Sequence, residues 1–487
     1  MGEFVRRIVE WLTAEGKRLS VVKNPDGFLL RADTQETVYN ESGLLLLPIK
    51  SGIELRVRYE LQDKQSDQRV CYIMEHPDDV LPDIKSHLYI ASTFTVAKLM
   101  PACNEMELLQ AKMTFGMASY IFNKRYTRNL SLDETRTLLL EAENLYGMDL
   151  QTISAELKTI PLHWDKVETI DSISNILLNV INRGLYHMVE PIIEELNSNF
   201  QEFVDNRYFS FINSSSILKP KMVHKILPHL AHNHQRTDKV ALIVIDGMTF
   251  WQYLLLDKAL NNIGIQTKKD MTYAWLPSIT KLSRQAIFRG ESPHMDYRQS
   301  PAEESKLWTN FWTSRPQNRR LEDYEIAYTH GSLILENNNY YRQAMVETSL
   351  DEKMHSLNSN KDLYALTKNW AEVVTNDIKD IYEQGYHIYI TTDHGNVLAN
   401  PWRSLKPQEK TYLYERDSRG NRYLIYNKTA YLRDFIQSNP EIESDLLVHD
   451  DWAVWRKANS FDNKHGITHG GAHFLEVVIP FITIKKK

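Results

Sequence analysis

Six separated positions in this chain carry residue types that could do hydrolytic chemistry together. Asp246 closes the apolar run VALIVID, Thr280 closes LPSIT, and Asp393–His394 follow the run HIYITT. Between them SLDEKMH offers Asp351 and His355 at i, i+4, and near the end ITHGGAH offers His469 and His473. Runs of β-branched residues that break into a carboxylate and a glycine read as buried strands with their ends exposed. In an open α/β sheet, ligands gather outside the carboxyl ends of the strands, so these ends predict one shared crevice. A threonine beside three aspartates and three histidines is an oxygen- and nitrogen-rich set suited to a pair of divalent metals. That chemistry is metal-assisted hydrolysis.

Each of these residues also has a plainer use. Asp246 could cap the helix that MTFWQYLLL predicts, and Thr280 could cap KLSRQAIFRG. At a helix N-terminus a hydroxyl or phosphate also meets free N–H groups and the positive end of the dipole. Asp351 and His355 could be an exposed pair on one helical turn. Asp393–His394–Gly395 is more specific, because two ligand types stand together at one strand end. His469 precedes two glycines that let backbone and metal approach closely. His473 and His465 are its rivals for the same role.

The elements that must position this set alternate from Val240 onward, which predicts a mainly parallel sheet with helices on both faces. Residues 1–97 read as a small α/β domain. An amphipathic first helix carries Phe4, Ile8, Val9, Trp11 and Leu12 on one side. RLSVVKNPDGFLLRA then reads as strand–turn–strand with Pro25-Asp26-Gly27 at the bend, and GIELRVRYEL and RVCYIMEH as further strands. Residues 98–237 repeat apolar positions at i, i+3, i+4 and read as a helical domain, with Ser131 and Glu134 as a capping box. The polar stretch AHNHQRTDK marks the boundary to the third domain, 238–487.

At 487 residues the chain is too long for one ordinary core, and 42% hydrophobic with 25% charged residues is the balance of a globular protein. A formal charge of -6, from 57 basic and 63 acidic residues, excludes reliance on a broad basic face for nucleic acid. Cys71 and Cys103 form no metal or redox motif. The N-terminus lacks the apolar core of a signal peptide and Arg6 breaks the myristoylation pattern. The expected setting is a reducing one, the cytoplasm, without a membrane.

Taken in order, the Asp after a first core strand, the Thr, the DxxxH pair, the DH pair and the late His resemble the alkaline phosphatase superfamily. Within it, IVIDGM, LPSIT-KLSRQAIFRG, Asp351/His355, TTDHG and HGG followed by FLEVVIP resemble the PglZ family over about residues 240–487. The resemblance implies that Asp246, Thr280, Asp393 and His394 surround one metal and that Asp351, His355 and His469 hold a second. Zinc is the expected metal, with manganese as a looser occupant, and Thr280 the nucleophile. TKLSR departs from the C/S-x-P-x-R context of sulfatases. A Thr in PSxT is similar to the nucleotide pyrophosphatase/phosphodiesterase branch, which implies diesters, hence nucleic acid or a nucleotide. PglZ proteins occur in the BREX phage-defence systems beside a DNA methyltransferase, so defence proteins are the implied partners. No receiver signature stands at the N-terminus, so phosphorylation control is not implied. The competing readings are a non-catalytic scaffold of a defence complex and a phosphomonoesterase acting on a small metabolite.

For the substrate, SKLWTNFWTSRPQNRR interleaves Trp308, Phe311 and Trp312 with Arg315, Arg319 and Arg320. Such a pattern suits stacking on bases and pairing with phosphates, although a buried helix with a basic end gives the same letters. Arg419 and Arg422 in DSRGNRY form a second candidate patch.

Overall fold

The computed structural model describes every residue except 1, 147–149, 318, 336–338, 415–420 and 486–487. The chain folds as two compact units, Met1–Glu156 and Leu157–Lys487. The helical stretch read as residues 98–237 is therefore divided between them. Its first part, including helices Phe115–Asn123 and Leu132–Tyr146, shares an apolar core with the N-terminal sheet.

The first unit holds four strands, β1 (Leu19–Val22), β2 (Leu44–Pro48), β3 (Arg69–Ile73) and β4 (Leu88–Ile90), all parallel in the order β2-β3-β1-β4. Two segments differ from the strand reading. FLLRA becomes a 3-10 turn, Phe28–Leu30, leading into the helix Ala32–Ser42. GIELRVR is the helix Gly52–Arg58, because Ser51 caps it by accepting from the Glu54 amide, and its β-branched Ile53 and Val57 point to solvent. Ser131 and Glu134 do form the reciprocal capping bonds expected of them. Both cysteines are free and buried.

The second unit is built on a six-stranded sheet. Its strands are β5 (Val240–Ile245), β6 (Lys268–Tyr273), β7 (Ile326–His330), β8 (Arg342–Glu347), β9 (His387–Thr392) and the last strand, β16 (Val478–Ile484), in the order β6-β16-β9-β5-β8-β7. β16 runs antiparallel to both its neighbours and the rest are mutually parallel. β5 is buried at every position, as a strand covered by helices on both faces must be. This is the mainly parallel, helix-flanked sheet that the alternation predicted. Between β9 and β16 the chain adds two small sheets. β10 (Val397–Pro401) pairs with β14 (Asn459–Ser460) and β15 (Gly466–Thr468), and β13 (Trp452–Trp455) pairs with β11 (Tyr423–Ile425) and β12 (Leu446–His449). Among the described residues no helix is long and apolar enough to cross a membrane.

The topology explains how distant segments meet. β5, β6, β8 and β9 all end at the same sheet edge and lead into Asp246, the Thr280 loop, Asp351 and Asp393–His394 respectively. Because β16 is antiparallel, its amino end lies at that same edge, and the loop before it delivers His469.

Candidate metal and phosphoester site

Asp246 and Thr280 are not caps. Thr249 caps the helix Phe250–Asn262 in a reciprocal box with Gln252, and Ile279 occupies the cap position of the helix Thr280–Arg289. Thr280 Oγ1 instead lies 3.0 Å from His394 Nε2. His394 Nδ1 lies 3.0 Å from the Gly395 carbonyl, to which it can only donate, so Nε2 carries the lone pair and accepts the threonine proton. The same Nε2 is 3.6 Å from Asp246 Oδ1 and 3.8 Å from Asp393 Oδ2.

On the other side of His394 the ring of His469 stacks at 3.9 Å. His469 Nδ1 faces the Ser278 carbonyl at 3.3 Å, which turns Nε2 toward Asp351 Oδ1, 3.9 Å away. His355 Nε2 is 3.4 Å from that same oxygen. Potential ligand atoms therefore cluster in two triads that share one aspartate: Asp351, His355 and His469, and Asp246, Asp351 and His394. Five of the seven residues expected from the sequence thus form the two triads; Thr280 lies beside them against His394, and Asp393 stands outside both. Its Oδ1 accepts from the amides of Gly247 and His394.

The donor set fits divalent cations. Asp246 Oδ1, Asp351 Oδ1, Asp393 Oδ2 and His355 Nε2 are buried and lack hydrogen-bond partners among the described residues. Buried polar atoms are normally satisfied, so the unpartnered atoms of Asp246, Asp351 and His355 within the two triads fit a bound cation, while Asp393 Oδ2 faces Arg284. The ionisation states agree. Burial raises the Asp351 carboxyl, but the facing imidazoles of His355, His469 and His394 outweigh it and hold it below the usual range. Burial, with His394 beside it, lowers His469 to about 3, so it is a neutral ligand at neutral pH. Burial lifts Asp246 well above an ordinary aspartate; Arg284 opposes the shift, and Asp393 and Asp351 reinforce it.

Glycines permit the close approach of the loops. Gly247 has a φ of 73°, and a Cβ there would lie 3.0 Å from Asp351 Oδ1. A Cβ on Gly395 would come within 1.9 Å of the Leu475 carbonyl oxygen. Ser278 ties two loops together, donating from Oγ to the Gly471 carbonyl at 2.7 Å and accepting from the Gly470 amide at 3.2 Å. It was not among the residues expected from sequence, since a serine after proline reads as turn chemistry.

Of the arginines expected to grip substrate, Arg315, Arg319 and Arg422 are engaged away from the ligand triads. Arg422 is fully buried and makes a bidentate pair with Glu476, at 2.9 and 2.7 Å, behind the loop that carries His469. Trp308, Phe311 and Trp312 are core residues rather than a stacking wall. The helix Pro301–Thr313 ends at the opposite edge of the sheet, where Arg342, the first residue of β8, lies over the Trp312 ring. Arg315 there donates to the Phe311 carbonyl and Arg319 to the Ala231 carbonyl. Arg419 lies outside the described residues. Of the rival histidines, His473 is buried as the cap of the helix Phe474–Val477, and His465 is exposed on the rim of a cavity of about 600 Å³ that borders His355.

Arg284 and Glu304 belong to the site although sequence reasoning passed over them. Arg284 Nη2 donates to Asp246 Oδ2 at 2.7 Å, and its Nε lies 3.3 Å from Asp393 Oδ2 and 3.5 Å from Glu304 Oε1. The available signal was position: Arg284 follows Thr280 by one helical turn.

The model of the BREX system PglZ alkaline phosphatase-like domain matches residues 223–484. The chain belongs to the PglZ family. The match covers the whole sheet and every residue of the site, and puts the chemistry of this PglZ domain in the phosphoester-hydrolase class. Among solved structures it is similar to murine ectonucleotide pyrophosphatase/phosphodiesterase 5, at 12% identity over 51% of this chain and 88% of that one, with a TM-score of 0.35. It is also similar to phosphonoacetate hydrolase from Sinorhizobium meliloti, at 11% identity over 52% and 91%, with a TM-score of 0.36. No curated protein matches the chain.

Proposed function

We propose that the chain is a metal-dependent phosphodiesterase that uses Thr280 as its nucleophile, acting on nucleic acid or a nucleotide within bacterial phage defence. The observation that carries this reading is the Thr280 hydroxyl, 3.0 Å from the lone pair of His394 and beside two acid–histidine triads with unpartnered ligand atoms. Asp351, His355 and His469 would hold one cation, and Asp246, Asp393 and His394 with Thr280 the other. Bound divalent ions would supply Lewis-acid charge to the phosphoryl oxygens and lower the pKa of the threonine hydroxyl. In the chain itself, His394 Nε2 holds the Thr280 hydroxyl by a hydrogen bond; with a cation bound, that lone pair would ligate it and the hydroxyl would lose its proton to solvent under the cation's charge. The Ser278 staple fixes the Thr280 loop against the His469 loop. Nitrogen-containing ligand sets favour zinc over manganese.

Support for diesters is the threonine in PSIT. The Trp308–Arg320 segment no longer adds to it. Substrate grip falls instead to the metals and to the cavity beside His355, where Asn421, Lys464 and His465 stand with the carboxylates of Glu352 and Asp462. Affinity for an oligonucleotide should therefore fall only gently with salt. Defence proteins such as a DNA methyltransferase are the proposed partners.

The test is metal analysis of protein prepared without chelator, followed by turnover of a diester and a monoester with the same leaving group. Two metals per chain and faster diester turnover are expected. An excess of monoester turnover would move the chain to the phosphatase reading. Inactivity on every ester with metal bound would favour the scaffold.

A further inference from the structure

Arg284 stands where a cation is needed. It lies one turn after Thr280 on the same helix face and is buried, with Asp246, Asp393 and Glu304 around its guanidinium. A guanidinium has five donors. Here one of them, on Nη2, makes a short bond to Asp246 Oδ2, while the buried Nε and Nη1 have no hydrogen-bond acceptor among the described residues. The group is thus held chiefly by charge, not by a complete set of hydrogen bonds. The two aspartates it touches are the pair assigned, with Thr280 and His394, to one of the two metal positions. Among the described residues the ion partners of Asp351, at the other position, are imidazoles. That difference also explains why Asp393 falls outside both ligand triads: its second oxygen faces Arg284.

Glu304 offers the guanidinium a second place to go. It is fully buried, 3.5 Å from Arg284 Nε, and fixed by bonds from Tyr328 and Gln299. A buried carboxylate so firmly held has no other cation within ion-pair distance among the described residues. A divalent ion placed between Asp246 and Asp393 would repel the guanidinium strongly at this separation and low local dielectric.

We infer that Arg284 is a resident cation that fills the Asp246–Asp393 position of the metal-free protein and yields to a divalent ion by swinging onto Glu304. This rests on the metal-site reading above and adds that the two positions are unequal. The ion at Asp351, His355 and His469 binds without displacing anything. The ion at Asp246 and Asp393 must first move Arg284. Arg284 is accordingly a positioning residue, and it keeps the crowded carboxylates from repelling one another before metal arrives.

The experiment is calorimetric titration of the metal-stripped full chain with zinc and with manganese. The proteins compared are wild type, Arg284→Met, Glu304→Gln and the double variant, each with a thermal melt of its metal-free form. Wild type should show a tight and a weak class of sites. Arg284→Met should tighten the weak class by about tenfold or more while lowering the metal-free melting temperature, since the carboxylates lose their counter-ion. Glu304→Gln should weaken the same class about tenfold, because the displaced guanidinium loses its charged acceptor. The double variant should follow Arg284→Met, with no further effect of Glu304. Weaker metal binding in Arg284→Met would make Arg284 an orienting brace and overturn the inference, as would a Glu304→Gln effect that persists without Arg284. Should Arg284→Met not fold, Glu304→Gln decides, and unchanged weak-class affinity overturns the exchange. Uptake of no metal by any protein, wild type included, removes the metal reading itself and the exchange with it.

Discussion

Thr280 and His394 divide one task, and their geometry says how each substitution should read out. The hydroxyl is the proposed attacking group, whereas His394 Nε2 positions it by a hydrogen bond in the metal-free chain and belongs to a ligand triad. Thr280→Ala should therefore cut hydrolysis by roughly a thousandfold or more while leaving the fold and most metal binding in place. Thr280→Ser should keep part of the activity. Near-normal turnover in Thr280→Ala would mean that a water attacks instead. Asp393→Ala and His394→Ala should lose metal and activity together, and full metal content in both would show a structural DH pair. At this scale the sequence was readable where a residue type broke a strand pattern, as Asp246 and Asp393–His394 do. It was silent at Arg284 and Glu304, because a charged residue on a helix is taken as solvated by default. Only the packing of the helices Thr280–Arg289 and Pro301–Thr313 buries both.

Loops at the strand ends depend on braces behind them, and the brace that misled the sequence reading is Arg422. Arginines near a metal loop look like phosphate grips, yet this one donates to Glu476 and to the carbonyls of Asn459 and Lys457. Gly471, in the HGG loop, sends its amide to the same Glu476 at 2.8 Å. Removing one partner of a buried, hydrogen-bonded ion pair costs about 3–5 kcal/mol, because the other charge is left behind. Arg422→Ala or Glu476→Ala should therefore lower stability by roughly that amount in denaturant melts, with loss of metal at the position that includes His469. Loss of activity at unchanged stability would restore Arg422 as a substrate contact. Gly395→Ala should be equally damaging, since its Cβ would meet a backbone oxygen that no side-chain rotation can move. Arg315→Ala and Arg319→Ala should leave turnover unchanged, as both bond to main-chain carbonyls at the far edge of the sheet. The Trp308–Trp312 stripe was ambiguous for a physical reason: helical spacing buries aromatics against a sheet in the same pattern that would expose them to bases.

Across the second unit, burial of histidines sets how the fold responds to acid. The alternation of strands and helices made this sheet legible, because both-face burial forces continuous apolar runs such as VALIVI. The polar residues sealed within it were not legible. His224 sits against the Ile212 carbonyl and His234 against the Tyr389 hydroxyl, at 3.0 and 2.8 Å. Burial lowers each from 6.5 to about 4, helped by Lys225 for His224 and by His387 and Arg342 for His234, while Asp238 opposes the shift at His234. Each is neutral when folded and takes up a proton more readily when unfolded. Between pH 6.5 and 4 the unfolded chain therefore binds more protons, and stability falls as pH falls through that window. Below it, both states carry the proton and these two histidines add no further loss. Allowing for partial solvent screening around both rings, their joint contribution is on the order of 2–4 kcal/mol. Urea melts of metal-free protein should show a lower midpoint at pH 4.5 than at pH 7. The double variant His224→Gln with His234→Gln, less stable at neutral pH, should show a clearly smaller drop. An equal drop in the double variant would place the acid sensitivity in the carboxylates of the metal site instead.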